Sequence, residues 1–308
     1  MHRARARLSQ PAIWHFIFRL SLGRDAVPHL GMINVLPPTA LIRLGLLFWA
    51  LIVVAVAPVQ AQKRVDLELV IAVDISWSMD PEEQRLQRNG YVSALRDPEL
   101  QRVVTGGPSG SIAITYFEWA GPASQRVVLP WTLIDSAAAA NAVADALAAL
   151  PISRERLTSI SGGLAFADKL FDQSLFRGAR RVIDVSGDGP NNSGDPVVPV
   201  RDRLVAKGIV INGLPVMLKL NPPQSLFDIK DLDIYYEDCV IGGPGSFMIP
   251  IKTEDEFLTA TRRKLILEIS DYAPPARFIR VQSAAPAPRI NCMIGEQIWR
   301  RYMDDRYK

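Results

Sequence analysis

The apolar residues of this chain fall into two alternating patterns: short continuous runs, and longer stretches with a helical repeat. Leu67-Glu68-Leu69-Val70-Ile71-Ala72-Val73 is a nearly unbroken run, which predicts a buried strand over 66–73. Comparable runs predict strands over 111–118, 181–186 and 209–214, with 125–129 as the hairpin partner of the second across Gly121-Pro122. A last strand is expected over 246–251. Helical patterns lie between them. Asp80 is placed to cap one helix, with Pro81 at its first position and Glu82 and Glu83 in the first turn, where the helix dipole favours acids. The segment 136–150 sets Ala140, Val143, Ala144 and Leu147 on one face, and 160–171 does the same with Leu164, Ala167 and Phe171. A helix over 196–207 stops at Gly208, a residue suited to the left-handed terminator. Thr253 and Glu256 read as the capping box of a long helix that buries Leu258, Leu265 and Ile269. This alternation predicts an α/β fold: a doubly wound, mostly parallel central sheet, helices on both faces, and one antiparallel edge strand.

The two ends of the chain depart from that pattern. Residues 40–58 are almost wholly apolar apart from Arg43, and Val59-Gln60-Ala61 follows, a small-x-small ending suited to cleavage before Gln62. We expect residues 1–61 to be a signal peptide, with Met32 as an alternative start that leaves a leader of ordinary length; the competing reading is an uncleaved membrane anchor. The domain then spans 62–273, and the tail 274–308 opens on an Ala- and Pro-rich linker over 274–288. The leader changes the charge picture. The whole chain carries a formal charge of +3, but residues 1–61 hold six of its 35 Lys and Arg and one of its 32 Asp and Glu. The remainder has 29 against 31, so the basic excess belongs to the leader and no basic patch argues for nucleic acid. Such a chain is expected in the periplasm or secreted, at a membrane only if the leader stays uncleaved.

His2, His15 and His29 all lie in the leader, so the exported part has no histidine. That excludes Ser-His and Cys-His nucleophile pairs and His-ligated zinc or iron. Cys239 and Cys292 both remain, and in an oxidising compartment they either pair, tying the tail to the loop after the fifth strand, or stay as two thiols.

The candidate chemistry sits in three loops. Asp74-Ile75-Ser76-Trp77-Ser78 follows the first strand, Leu157-Thr158-Ser159-Ile160-Ser161-Gly162-Gly163-Leu164 leads into a helix, and Asp184-Val185-Ser186-Gly187-Asp188-Gly189 ends another strand. Carboxylate and hydroxyl oxygens are hard ligands suited to Mg²⁺, and the carboxyl ends of strands are where α/β sheets hold ligands. Together the three loops resemble the metal-ion-dependent adhesion site of von Willebrand factor A domains, over about residues 66–273. The stretch from Tyr235 to Gly245, with its Cys239 and Gly242-Gly243-Pro244, is similar to an uncharacterised, exported bacterial branch of that family.

The resemblance implies a von Willebrand factor A-like fold, with Ser76 and Ser78 as direct metal ligands and Thr158 as a ligand in the partner-bound state. Asp74 and Asp188 would hold the ion largely through water. The implied ion is Mg²⁺, with Mn²⁺ or Ca²⁺ as alternatives, and the implied partner is a protein supplying a Glu or Asp carboxylate. Trp77, Glu118 and Trp119 fall near the same rim as candidate partner contacts, Trp being favoured at binding hot spots. Tyr235 and Tyr236 read as packing residues, and Asp184, inside its strand, as structural or as a support for the metal ligands. The loop from Asp188 through Asn191, Asn192 and Asp195 lacks the Glu and spacing of an EF-hand and reads as a solvated turn. The function expected is metal-dependent binding without catalysis. Two other classes remain: a metal-dependent hydrolase, or an assembly module with a vestigial site.

Overall fold

The computed structural model describes residues 62–218, 227–270 and 288–306. The expected leader, and residues 274–287 of the expected linker, lie outside the described residues. Five strands form one sheet: β1 (Lys63–Asp74), β2 (Ile112–Trp119), β3 (Gln125–Ile134), β4 (Phe176–Gly187) and β5 (Ile209–Pro215), in the order β3-β2-β1-β4-β5. β1 runs parallel to β2 and β4, β4 parallel to β5, and β3 is the antiparallel edge strand. The order reverses between β1 and β4, which opens a crevice at their carboxyl ends.

Helices cover both faces. On one side are α1 (Pro81–Arg96), α2 (Pro98–Thr105), α3 (Ala137–Ala148) and α7 (Glu256–Ile269), packed over Leu69, Ile71, Val73, Ile114 and Tyr116. On the other are α4 (Ile160–Asp172), α5 (Val197–Ala206) and α6 (Leu232–Tyr235), the last continuing into a π-helical turn, Tyr236–Val240. These cover Val70, Ala72, Phe117, Ile183 and Val185. Alternate residues of β1 thus face opposite cores, as a strand with period two requires when both faces are covered. A final helix, α8 (Ile294–Arg306), follows in the tail. Among the described residues no helix is long and apolar enough to cross a membrane.

The caps explain where several helices begin and end. Asp80 Oδ1 accepts from Glu82 N (2.8 Å) and Glu83 N (3.0 Å), while Glu83 Oε2 accepts from Asp80 N (2.8 Å), a complete capping box before Pro81. Gly208, at φ +75°, ends α5 as expected. Three expectations need correction. The box expected at Thr253 is only half formed: Glu256 Oε2 accepts from Thr253 N (3.2 Å), but the Thr253 side chain returns no bond to α7. Leu258 is 49% exposed, because Phe257 and Leu265 take the inward face beside Ile269. The strand expected over 246–251 is an irregular extended segment that runs beside β5 through isolated bridges, Gly213 with Met248 and, just past the strand, Val216 with Ile251, and through Phe247 N donating to Asn212 Oδ1 (3.0 Å). Pro250, which has no N–H to donate, interrupts any regular ladder there.

Beneath the sheet lies a buried charge cluster. Lys264 on α7 is fully buried, with Nζ 2.5 Å from both Asp184 Oδ1 and Glu268 Oε1. Tyr91 OH donates to Asp184 Oδ2 (3.2 Å) and Asn212 Nδ2 to Glu268 Oε1 (3.0 Å). Asp184 is therefore a structural residue, which fixes α7 and α1 to β4. Burial, and then the charge of Asp184, push Glu268 up to about 7 against the pull of Lys264 and Asn212.

Removing the one cation leaves two buried carboxyls facing each other. Lys264→Met should cost about 3–5 kcal/mol, read as a lowered midpoint of urea unfolding. The pH dependence follows from Glu268, whose folded pKa lies above its ordinary 4.5. Its contribution is full below that value and is lost as pH rises through about 7. Glu268→Gln cannot ionise, so the stability of the variant relative to the parent should improve from acid pH to about pH 8.

Candidate metal site

The crevice between β1 and β4 gathers the three loops singled out in the sequence. Asp74 is the last residue of β1, and Asp188 follows the last residue of β4. Val73 pairs with Ser186, so the two chains leave the sheet side by side. Ser76 N donates to Asp74 Oδ1 (2.7 Å), an Asx-type turn that swings Ser76 and Ser78 over the crevice. Ser76 Oγ and Ser78 Oγ are 2.9 Å apart, and Ser78 Oγ donates to Asp188 Oδ1 at 2.6 Å. Ser76, Ser78 and Asp188 thus form one chain of oxygens, and Asp74 joins it through the Ser76 backbone amide.

Thr158 joins through the backbone of the other loops. Its N–H donates to Asn192 Oδ1 (2.9 Å), and Asn192 N donates to Thr158 O (2.9 Å). Just before it, Glu155 N donates to Ile75 O (2.9 Å); just after, Ser159 N donates to Ala120 O (2.7 Å). Ser159 Oγ then accepts from Gly162 N (3.1 Å) and caps α4. Leu157 has φ +69°, a left-handed conformation that costs a residue with a Cβ about 1–2 kcal/mol. It is the one described residue other than glycine in that region, and it stands immediately before Thr158. Strain held at such a place marks a loop whose shape the surroundings dictate.

Two acids crowd this end of the crevice. Asp74 is fully buried; burial first, and then the charge of Asp188, push its carboxyl well above the ordinary carboxylate range, while the Ser76 hydroxyl and then the backbone amides of Ser76 and Asp188 pull it back. Asp74 Oδ2 is buried and makes no hydrogen bond to any described group. The donor set is all oxygen, two carboxylates and three hydroxyls, which fits a hard divalent ion such as Mg²⁺ or Mn²⁺. Among the described residues no group of three or more His, Cys, Asp or Glu forms a denser alternative.

Of the expected rim contacts, only Trp77 reaches solvent, at 53% exposure, with Arg154 Nη2 donating to its carbonyl (2.5 Å) and the Arg156 guanidinium 4.4 Å from its ring centre. Trp119 and Glu118 do not. Trp119 is fully buried against Gly163 of α4, and Glu118 is buried between Arg88 (2.5 Å) and Arg126 (2.6 Å). Both belong to β2, a central strand covered on both faces, so neither has a route to a partner. The loop after Asp188 is also corrected. Asn191 and Asn192 are buried, because their amides clamp backbone: Asn191 Oδ1 accepts from Ser161 N (3.0 Å), and its Nδ2 donates to Asp195 O (3.2 Å) and Glu296 Oε1 (2.7 Å). Sequence reasoning took these asparagines as solvated turn residues, gave Leu157 no role of its own and passed over the α8 residues Trp299 and Tyr302; two adjacent asparagines after an Asp-Gly-Pro turn were the available signal.

Cys239 and Cys292 form a disulfide, joining the turn after α6 to the segment before α8. Tyr235 and Tyr236 are buried packing residues, and Tyr235 OH accepts from Asn191 N (3.2 Å).

Residues 64–273 match the family described as "Protein of unknown function (DUF1194)", and the chain belongs to that family. Its fold is von Willebrand factor A-like. No curated protein matches it. Among solved structures, the pilus adhesin SpaC from Lactobacillus rhamnosus GG is similar at 11% identity and a TM-score of 0.52, over 68% of this chain and 31% of that one. Proximal thread matrix protein 1 from the mussel byssus, with a zinc-occupied MIDAS motif, matches at 15% identity and a TM-score of 0.47, over 67% and 46%. BatB from Bacteroides thetaiotaomicron matches at 19% identity and a TM-score of 0.42, over 67% and 99%. The chain spans about a third to a half of the first two.

Asn191→Ala should test the clamp. It leaves the Ser161 amide and the Glu296 carboxyl buried without their partner, at roughly 1–3 kcal/mol for each group. A fall in melting temperature with α/β circular dichroism retained is the expected result; an unchanged melting temperature would contradict this account of the loop.

Proposed function

We propose that this protein is an exported binding module that holds a divalent cation at Asp74, Ser76, Ser78, Thr158 and Asp188 and uses it to engage a Glu or Asp carboxylate on a protein partner. The observation that carries the reading is the convergence of two buried carboxyls and neutral hydroxyls from separate loops at the strand-order reversal. Two carboxylates roughly balance a divalent ion, and the remaining ligands are neutral, so the ion stays electrophilic and an acidic side chain from a partner can replace a water on it. Mg²⁺ or Mn²⁺ suits the oxygen set, with Ca²⁺ a larger alternative.

Binding, as opposed to hydrolysis, is supported by how the neighbouring acids are engaged. A hydrolase needs a base beside the metal-bound water. Asp80 and Glu83 are engaged in the α1 capping box and Glu118 in two arginine pairs. Export, to the periplasm or beyond, is supported by the apolar segment 40–58 with its small-x-small ending and by the disulfide, which persists in oxidising compartments.

Because the metal binds the folded state, Mg²⁺ or Mn²⁺ at a hundredfold excess over its dissociation constant should stabilise the protein by about 2.7 kcal/mol, seen as a raised melting temperature. Asp74→Ala should remain folded and lose that shift. Capture of partner proteins from an envelope fraction should disappear with chelator and in the same variant. Calorimetry that detects no divalent-ion binding to the folded protein would end the reading.

A further inference from the structure

The metal loops open onto a cleft of about 500 Å³, bounded on one side by Ser76, Ser78 and Thr158 and on the other by Phe227, Trp299 and Tyr302. The three rings pack on one another at centroid distances of 5.8–6.3 Å. Two of them come from α8, outside the 64–273 span that defines the family. Arginines ring the cleft: Arg154 and Arg156 on the Thr158 side, and Arg306 at the end of α8, where it donates to Tyr302 OH (3.0 Å).

The α8 wall is built into the domain. Cys292 is disulfide-bonded to Cys239 two residues before the helix. Glu296 accepts from Asn191 (2.7 Å), the residue next to the Asn192 that holds Thr158. Gly295 lies so close to that loop that a Cβ there would fall 2.1 Å from Asn191 O, so the helix backbone packs directly on the metal loop.

We infer that this cleft is a specificity subsite, in which the α8 aromatics receive an aromatic side chain adjacent in sequence to the acidic residue that reaches the metal. The inference rests on the metal-binding reading and names the kind of partner segment it selects: a short acidic peptide stretch pairing Glu or Asp with Trp, Tyr or Phe. Three features point to that occupant. Ser76, Ser78 and Thr158 line the cleft, so a residue neighbouring the metal-bound carboxylate is within reach of it. Its far wall is aromatic, and ring pairs prefer other rings in offset or edge-on contact. Its rim carries three arginines against one acid, Asp80, which favours a segment of net negative charge.

The test uses the purified, disulfide-bonded protein with saturating Mn²⁺ and end-blocked peptides. Gly-Glu-Trp-Gly and Gly-Trp-Glu-Gly cover both chain directions; Gly-Glu-Ala-Gly lacks the ring, and Gly-Gln-Trp-Gly lacks the charge. The tighter of the two Trp-and-Glu peptides should bind roughly three- to tenfold better than the Ala peptide, and the Gln peptide should not bind. Trp299→Ala should erase the preference for Trp while leaving Mn²⁺ affinity and Ala-peptide binding unchanged, and Trp299→Phe should restore most of it; Tyr302→Ala serves as the second variant if Trp299→Ala does not fold. Equal binding of the Trp and Ala peptides by the Mn²⁺-loaded protein overturns the subsite while the metal reading stands. Absence of Mn²⁺ binding overturns both, and Gln-peptide binding as strong as that of the Glu peptides shows an aromatic cleft independent of the metal, which also overturns the inference.

Discussion

Two acids on adjacent parallel strands set the problem that the rest of this molecule answers. β1 and β4 leave the sheet side by side, and Asp74 and Asp188 stand at their ends. Burial and mutual repulsion push Asp74 well above the usual carboxylate range. The groups that ease it, the Ser76 hydroxyl and the backbone amides of Ser76 and Asp188, are neutral dipoles. Even the backbone between them is shaped by this crowding: a Cβ at Gly187 would come 2.7 Å from Asp74 Oδ2 and 3.1 Å from Tyr236 OH. Only glycine lets the strand pass the carboxyl at that distance.

The same sheet contains a second crowded acid pair, and the contrast is informative. Asp184 and Glu268 converge beneath β4, and Lys264 sits between them, 2.5 Å from each. There the protein supplies its own cation, from a helix whose place depends on it. At the carboxyl end of the sheet, the groups around Asp74 are serine hydroxyls and backbone amides in place of an ammonium group. A buried acid pair without an internal cation is costly to hold, and that cost is what the proposed divalent ion would offset.

The fold was legible wherever the pattern was long and locally punctuated. The β1 run, the Asp80-Pro81-Glu82-Glu83 start of α1 and the Gly208 stop are each decided by neighbours in sequence, and each stands where it was expected. Errors fell where tertiary context decided. Phe257 displaced Leu258 from the core by a rotation too small for the pattern to resolve, and Pro250 broke a run whose composition otherwise suited a strand. At the site, the loops carrying Asp74, Ser76, Ser78, Thr158 and Asp188 do meet, whereas proximity in sequence misled for Glu118 and Trp119. Both lie at the end of a strand that reaches the rim, but their side chains turn to opposite buried faces. Asn191 and Asn192 look like turn residues in sequence because their partners, Ser161, Glu296 and Thr158, are about 30 or more residues away.

The tail shows the same limit most clearly. Ile294, Ile298, Trp299 and Tyr302 have helical spacing, but behind the Ala- and Pro-rich linker over 274–288 the segment read only as a tail, with no helix assigned to it. A helix of 13 residues is marginal in water by itself, so the order of α8 must come from its attachments. The cross-link between positions 53 apart in sequence restricts the unfolded chain, on the order of 4 kcal/mol by loop entropy. The Glu296 bond and the close approach of Gly295 then fix the helix against the loop that carries Asn191 and Asn192. The wall of the cleft and the position of Thr158 therefore share one support. A change that detaches α8 from Asn191 acts on the aromatic rings directly and on the loop that holds Thr158 through Asn191 and Asn192.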